Sequence, residues 1–388
     1  MKKSSDFPWK YGLFLACYYL ANAVYQSYAS KYFESVGMSH VQLTILLAAA
    51  PIISIIMQPI WGMIGDRMKL RNIVLRMLIV VSAGLVLTYR LSNAFWWLMS
   101  VSVLFSAFYT SIQPMGDSII LEALQEKKHP FGPLRMMGCL AFAVGNLFIG
   151  YAIDGRMNWV VYLTAGVLLL TLLAERALPP TPGHQSTGEK MNMLAILKLP
   201  HMAGLLVMLM LMQLTMGYFY SYYSIHFTSL PGGTTTLLGL CYFLSATSEV
   251  PFLLNADRLF DKLGVGKLMS ICAAALTLRW VLLACFPNIY VAMGSQVLHG
   301  WGFIVMTVST SKYMSAIVPD ELKASGQMLL AVVGFGIARV FGILGGGLLS
   351  NAMGGIQNGF AVMACISGLA LICFAPKYLR SAPLNGSK

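Results

Sequence analysis

The sequence predicts an all-α integral membrane protein: twelve transmembrane helices in two six-helix, pseudo-symmetric halves. Three observations carry that prediction. Of the 388 residues, 57% are hydrophobic and only 10% charged, with a mean hydropathy of +0.71. Soluble domains carry roughly 25% charged residues, and a water-soluble fold needs a polar exterior that this composition does not supply. The apolar residues gather into runs of about 20 residues, the length a helix needs to cross a bilayer. The basic residues fall in short clusters at alternate ends of those runs, the distribution that marks cytoplasmic loops. A net charge of +12 dispersed in this way argues for a lipid bilayer and against nucleic acid as the partner.

The first span, centred near Leu20, follows Lys2, Lys3 and Lys10 and has no small-residue cleavage site behind it. It is therefore expected to be retained. Tyr18, Asn22, Tyr25 and Gln26 recur on it at helical spacing, a polar face suited to a cavity. The second, near Ile53, ends in Gly65-Asp66-Arg67 with Lys69 and Arg71 behind it. The third and fourth centre near Val81 and Leu104, the fourth carrying Asp117 and closing on Lys127 and Lys128. Arg135 opens the fifth, near Ala143, and Arg176 closes the sixth, near Leu168.

A polar stretch, PPTPGHQSTGEKMNMLAILKLP, then runs over residues 179–200. It reads as a cytoplasmic linker joining an N-terminal half, 1–178, to a C-terminal half, 201–388. The seventh span, near Met212, has Gly217-Tyr218-Phe219-Tyr220-Ser221-Tyr222-Tyr223 at its outer end, a cavity gate or an interfacial aromatic belt. The eighth, near Phe243, carries Glu249 and ends in Ala256-Asp257-Arg258, 191 residues beyond the matching Asp66. The ninth, near Ala275, holds Arg279. The tenth, near Val305, holds His299 and Lys312. The eleventh, near Gly336, holds Arg339 and Gly334, Gly336, Gly342, Gly345, Gly346 and Gly347, which allow close packing or bending. The twelfth centres near Ser367 and is followed by Lys377, Arg380 and Lys388. The opposite loops carry little beyond Lys31, Arg90 and Arg156. An even number of spans with both termini cytoplasmic follows, in the plasma membrane. Two halves related by a repeat, with a polar site between them, are the architecture of secondary transporters.

Charges inside the apolar runs are the candidate site. A charged side chain at the bilayer centre costs at least about 2.5–3.5 kcal/mol, so Asp117, Arg135, Glu249, Arg279, His299 and Arg339 are expected to pair. A lone carboxylate in low dielectric takes up a proton, and a neighbouring arginine restores its charge through a bidentate fork. A membrane carboxylate beside an arginine can therefore exchange a proton or switch partners, and solute hydroxyls or carboxylates can enter the same network. Two carboxylates face at least three arginines, which favours an anionic solute. The alternative for each is a fixed ion pair or packing histidine that only locks the helices. The seven cysteines all lie in apolar runs without metal spacing and are read as reduced. The sequence holds no phosphate loop, metal cluster, nucleophile triad or nucleic-acid module, so neither a cofactor nor enzymatic chemistry is expected.

Gln58-Pro59-Ile60-Trp61-Gly62-Met63-Ile64-Gly65-Asp66-Arg67-Met68-Lys69-Leu70-Arg71 resembles the loop signature GxxxDRxxxR of the major facilitator superfamily. Its Gln-Pro is typical of the lactose permease branch. The resemblance implies a major facilitator fold and a cytoplasmic gate of Gly62, Asp66, Arg67 and Arg71, with Asp257 and Arg258 as the second-half counterpart. It also implies that Asp66 caps or bridges a neighbouring helix N-terminus. Phe131-Gly132-Pro133-Leu134-Arg135-Met136-Met137-Gly138-Cys139 resembles the sugar-binding fifth helix of that branch. The arginine's partner lies eighteen residues upstream in the family, the position of Asp117 here. An arginine and a histidine twenty residues apart match Arg279 and His299, and Arg279-Trp280 with Gln296-Val297-Leu298-His299-Gly300 is similar to the phenylpropionate-transporter relatives. The chain departs from lactose permease at Gly302, where the family has a proton-carrying glutamate. It departs again near Ala246, with Glu249 about one turn later, and at Phe142, where an aromatic stacks on sugar.

The resemblance implies a proton-coupled symporter that takes up a small organic solute, an oligosaccharide or an aromatic carboxylate, by alternating access, acting as a monomer. Asp117, Arg135, Phe142, Asn22, Tyr25, Arg279 and His299 are the expected solute-binding residues, and Asp117, Glu249 and His299 the expected proton-coupling ones. A facilitator or exporter of the same solutes is the nearest alternative, and a ligand-binding membrane sensor the alternative from another class.

Overall fold

A computed structural model describes residues 7–127, 129, 131–183, 199, 201–318 and 323–380. Among them the regular structure is helical throughout: α1 (Trp9–Ser35), α2 (His40–Arg67), α3 (Arg71–Thr88), α4 (Phe95–Tyr109), α5 (Ile112–Lys127), α6 (Gly132–Ala152) and α7 (Trp159–Glu175). Then follow α8 (Met202–Ser229), α9 (Thr235–Thr247), α10 (Val250–Cys285), α11 (Ile289–Gly294), α12 (Val305–Ile317), α13 (Lys323–Leu330), α14 (Arg339–Ala352) and α15 (Ile356–Arg380). This is an all-α membrane fold. In lipid every backbone polar group must be satisfied within its own segment, which a helix achieves. Each of the twelve predicted span centres lies in a helical segment. Nine helical stretches among the described residues are long and apolar enough to cross a membrane. One of them, Thr235–Cys285, is 51 residues long. It covers two predicted spans, because Gly264 turns the chain at φ 71°, ψ 166° inside α10, a conformation only glycine adopts without strain.

The described residues divide into two compact units. The first lies within Met1–Met38 and Ile53–Thr187, the second within Ser39–Ile52 and Gly188–Lys388. Of the expected linker, residues 184–198 and 200 lie outside the described residues.

In the first unit α1 packs along α6 and α7, and α3 along α4 and α7. The fourth predicted span is broken between α4 and α5. The break leaves carbonyls that the helix no longer uses, and side chains of the α2 signature fill them. Gln58 donates to Thr110 O at 3.0 Å and Trp61 Nε1 to Ala107 O at 2.7 Å. The signature's lower end is a charge cluster. Arg71, largely buried, donates to Asp66 at 2.6 Å, to Glu122 at 3.1 Å and to Ser118 at 3.1 Å. Asp66 therefore bridges rather than caps, since the start of α3 has no side-chain cap. The charged arginine is the stronger partner for the carboxylate.

The chain beyond α7 returns to this loop, a feature the sequence did not announce. Arg71 N donates to Thr181 O at 2.9 Å and Gly183 N to Met68 O at 3.2 Å. Asn72 receives Thr181 N at 2.9 Å and donates to Pro179 O and Glu175, each at 3.2 Å. Glu175 is fully buried and takes a further bond from Arg76 at 2.6 Å.

The second unit is built around α8 and α10 packed on α14 and α15. Two glycines set the α8–α14 approach. A Cβ on Gly342 would lie 1.9 Å from Leu214 O, and one on Gly217 2.7 Å from Arg339 O. Gly345, also expected to serve close packing, faces open space. Gly342→Ala is expected to destabilise the protein by about 1–3 kcal/mol through overpacking against backbone, while Gly345→Ala stays near the parent. Thermal unfolding in detergent checks both.

Candidate functional site

In the first unit, α5 and α6 each bring one charge to the same place. Gly132-Pro133 starts α6, with proline in the first turn where its missing N–H costs nothing, and this sets Arg135 one turn in. Arg135 Nη1 donates to Asp117 Oδ2 at 3.2 Å. The Gln113 amide, with its oxygen toward the guanidinium, accepts from Arg135 Nη1 at 2.8 Å and from Nη2 and Tyr19 Oη at 3.2 Å each. The guanidinium carbon lies 4.8 Å from the Tyr19 ring centre, within range of a cation–π contact. The other Asp117 oxygen, Oδ1, is buried and has no hydrogen-bond partner among the described residues.

Asn22 and Tyr25 on α1 are one helical turn apart. Asn22 is buried and accepts from Tyr109 Oη at 2.6 Å. Tyr25 is half-buried, with its hydroxyl 3.1 Å from Tyr89 Oη, which lies 2.9 Å from Ser102 Oγ. Phe142 is half-buried on α6, its carbonyl accepting from Asn146 at 2.9 Å. Gly62 has open space around it, and Arg67 is exposed.

In the second unit the helix hydrogen-bond ladder is interrupted twice at the same level. Ser248 and Glu249 lie in the turn between α9 and α10. Opposite them, a 3₁₀ turn (Ser295–Leu298) and a π-helical turn (Gly300–Ile304) flank His299. The breaks meet directly. Gly300 N donates to Ser248 Oγ at 2.9 Å, and a Cβ on Gly300 would sit 2.1 Å from Ser248 O. π-turns inside α-helices occur frequently at functional sites.

These breaks place Glu249, His299, Gln296 and Arg279 in one network. Arg279 is fully buried. Its Nη1 lies 2.9 Å from His299 Nδ1, its Nη2 donates to Gln296 Oε1 at 2.5 Å, and its guanidinium carbon is 4.0 Å from the Phe219 ring centre. His299 Nε2 is 3.3 Å from Glu249 Oε1 and 3.4 Å from Tyr220 Oη. Geometry fixes the imidazole's protonation. Arginine has only donors, so Nδ1 must accept. The ring proton is then on Nε2 and is donated to Glu249. A histidine held in this way is neutral, with Glu249 as its acceptor.

The two spacings of eighteen and twenty residues thus each correspond to a close pair. Asp257 is exposed and pairs with Lys312, while Arg258 is exposed. The sequence assigned no site role to the neutral members: Gln113 and Tyr19 around Arg135, Gln296 against Arg279, and Gln213 against Arg339. Uncharged, they stand out less in an apolar run than a carboxylate or an arginine. The signal that finds them is the need of a buried guanidinium for more acceptors than one carboxylate provides. No group of three or more metal-ligating side chains gathers among the described residues.

A family model described as "MFS_1 like family" matches residues 8–361. The maltose permease of Geobacillus stearothermophilus is 26% identical over 348 residues, covering 89% of this chain and 88% of that protein. A probable 3-phenylpropionic acid transporter of Escherichia coli is 23% identical over 380 residues, covering 94% of this chain and 96% of the relative. Among solved structures, the nucleoside transporter NupG superposes with a TM-score of 0.82 at 16% identity, covering 97% of this chain and 100% of that one. At that identity the likeness speaks for the fold.

Proposed function

The chain belongs to the MFS_1 like family, a family of membrane transporters, and from that premise we propose a proton-coupled symporter that takes up a small organic solute. The relatives' names frame the solute as an oligosaccharide or an aromatic carboxylate. In this reading the protein is a monomer in the cytoplasmic membrane with both termini inside. Its halves, 1–178 and 201–388, are joined by the linker 179–200 and alternate access to a shared solute.

One observation carries the proton assignment, the tautomer of His299. Protonating Nδ1 would set its N–H against the donors of Arg279 2.9 Å away. Protonating Glu249 breaks nothing but the charge-assisted bond from His299 Nε2. The proton therefore goes to Glu249, and His299 orients and senses it, with Arg279 and Gln296 holding the ring. This differs from the sequence expectation that His299 itself carries a proton. Asp117 and Arg135 contribute solute contacts from the first half. Asp117 Oδ1 accepts a solute donor, and Arg135 and Gln113 bracket the same group.

The test is transport by the purified protein in proteoliposomes without sodium. A solute gradient is expected to draw protons with it, seen as alkalinisation of the outside medium, and an imposed pH gradient is expected to accumulate solute. Solute flux with no pH change and no response to the pH gradient would make the protein a facilitator. Accumulation only in the reverse direction would make it an exporter.

A further inference from the structure

We infer that Gln213, Arg339 and Tyr220 of the second unit form a subsite for a carboxylate carried by the transported solute. The inference rests on the transport reading above and narrows its solute class from either sugars or acids to acids.

The first observation is an unmet donor. Gln213, on α8, is fully buried. Its Oε1 accepts from Arg339 Nε at 3.2 Å, which fixes the amide's orientation, and its Nε2 is buried with no acceptor among the described residues. A buried donor without a partner is costly to a fold and rare in native structures. A ligand that supplies the acceptor removes the cost.

The second observation is the backbone around Arg339. It directly follows a π-helical turn, Ala331–Ala338, so both π-turns of this unit abut a charged or titratable side chain of the same cluster. Between those side chains stand two rings. Arg339 lies 5.0 Å from the Tyr220 ring centre and 5.9 Å from that of Phe303, while His299 stacks on Phe303 at 5.5 Å and meets Tyr220 edge-on at 6.0 Å. Tyr220, Phe303 and Arg339 all keep accessible surface.

The third observation is charge. The cluster holds two guanidiniums, Arg279 and Arg339, against the carboxylate Glu249, and His299 is neutral. At this point Gln213 offers an unmet N–H and Arg339 its guanidinium donors. A carboxylate offers two acceptor oxygens, no donor, and a negative charge, and it matches an arginine fork with an amide N–H beside it. A sugar hydroxyl supplies an acceptor but leaves the excess charge, and it brings a donor into a place already crowded with donors. The adjacent rings would take the apolar body of the solute.

The experiment is thermal stabilisation of the full-length protein in detergent by acetate, lactate, gluconate and 3-phenylpropionate, each against its amide, with maltose alongside. At least one acid is expected to protect the protein, with its amide at least tenfold weaker. Arg339→Gln is expected to weaken that acid at least tenfold. Gln213→Glu keeps the side chain's size and places a carboxylate on Arg339, so it is expected to abolish protection by the acid while the unliganded protein melts no lower than the parent. Amides as effective as their acids, or maltose protecting the parent and Gln213→Glu alike while no acid does, would overturn the subsite. Flux separates this from the transport reading. Proton-coupled maltose uptake unchanged in Arg339→Gln removes the subsite and leaves symport. Arg339-dependent acid binding with flux that moves no proton keeps the subsite and removes symport.

Discussion

Glu249→Gln is expected to abolish accumulation of solute against its gradient while exchange of solute across the membrane continues. For one proton per solute, one pH unit supplies about 1.36 kcal/mol, and so about tenfold accumulation; the variant falls to equal concentrations inside and out. Structure argues that the fold survives. Glu249 sits in a turn between helices, and glutamine keeps an oxygen for His299 Nε2, 3.3 Å away in the parent. In the proposed reading, only the site that loads and unloads a proton is lost. Proteoliposomes under an imposed pH gradient, compared with solute counterflow in the same preparation, separate the two activities. A variant that still concentrates solute would move the proton elsewhere, with Asp117 the next carboxylate to test.

The second large effect is expected at Asp117→Asn. Asparagine preserves size but leaves Arg135 without the charge that Asp117 Oδ2 supplies at 3.2 Å. It also replaces one acceptor oxygen with an N–H group, next to an oxygen that is buried and has no partner among the described residues. Hydrogen bonds to charged groups contribute about 1.5–3 kcal/mol, so solute affinity is expected to fall by about ten- to a hundredfold. Counterflow at varied solute concentration measures this as a raised half-saturation. Arg135→Lys probes the same pair from the other side, keeping the charge and losing the fork. Unchanged half-saturation in Asp117→Asn would reduce the pair to a helix lock.

What the sequence disclosed follows from where its penalties are steep. Membrane crossing imposes length and hydropathy, so every span centre fell in a helix. Buried charge imposes partners, and the family resemblance supplied the spacings that joined Asp117 to Arg135 and Arg279 to His299 before any coordinates. Neutral partners carry no such penalty in the sequence. Gln213 and Gln113 look like ordinary polar residues in an apolar run until a guanidinium is placed against each. Backbone breaks inside a span are equally silent. The ladder break at Ser248 and Glu249 lies inside a run that reads as one span, whereas the turn at Gly264 follows the charged stretch from Asp257 to Lys262 that marks a span end. The π-turn at Gly300–Ile304 changes hydrogen-bond register without changing composition. Of the two roles the resemblance implied for Asp66, capping and bridging, the structure has the bridge, to Arg71 at 2.6 Å.

The hydroxyls of Tyr25, Tyr89 and Ser102 form a short series in which each group both gives and takes, and either member of each contact can be the donor. Rotating three O–H bonds reverses its polarity without moving a heavy atom. In the transport reading proposed above, Tyr25 can therefore meet a solute as giver or taker with equal ease. The Asp117–Arg135 and Gln213–Arg339 pairs have no such freedom, since their charges and amide orientations are fixed by their neighbours. In that same reading, discrimination between solutes resides with those pairs, and α1 contributes tolerance. Relatives that differ at the charged pairs would change what they carry, whereas those that differ only along the tyrosine series would change how broadly they accept it.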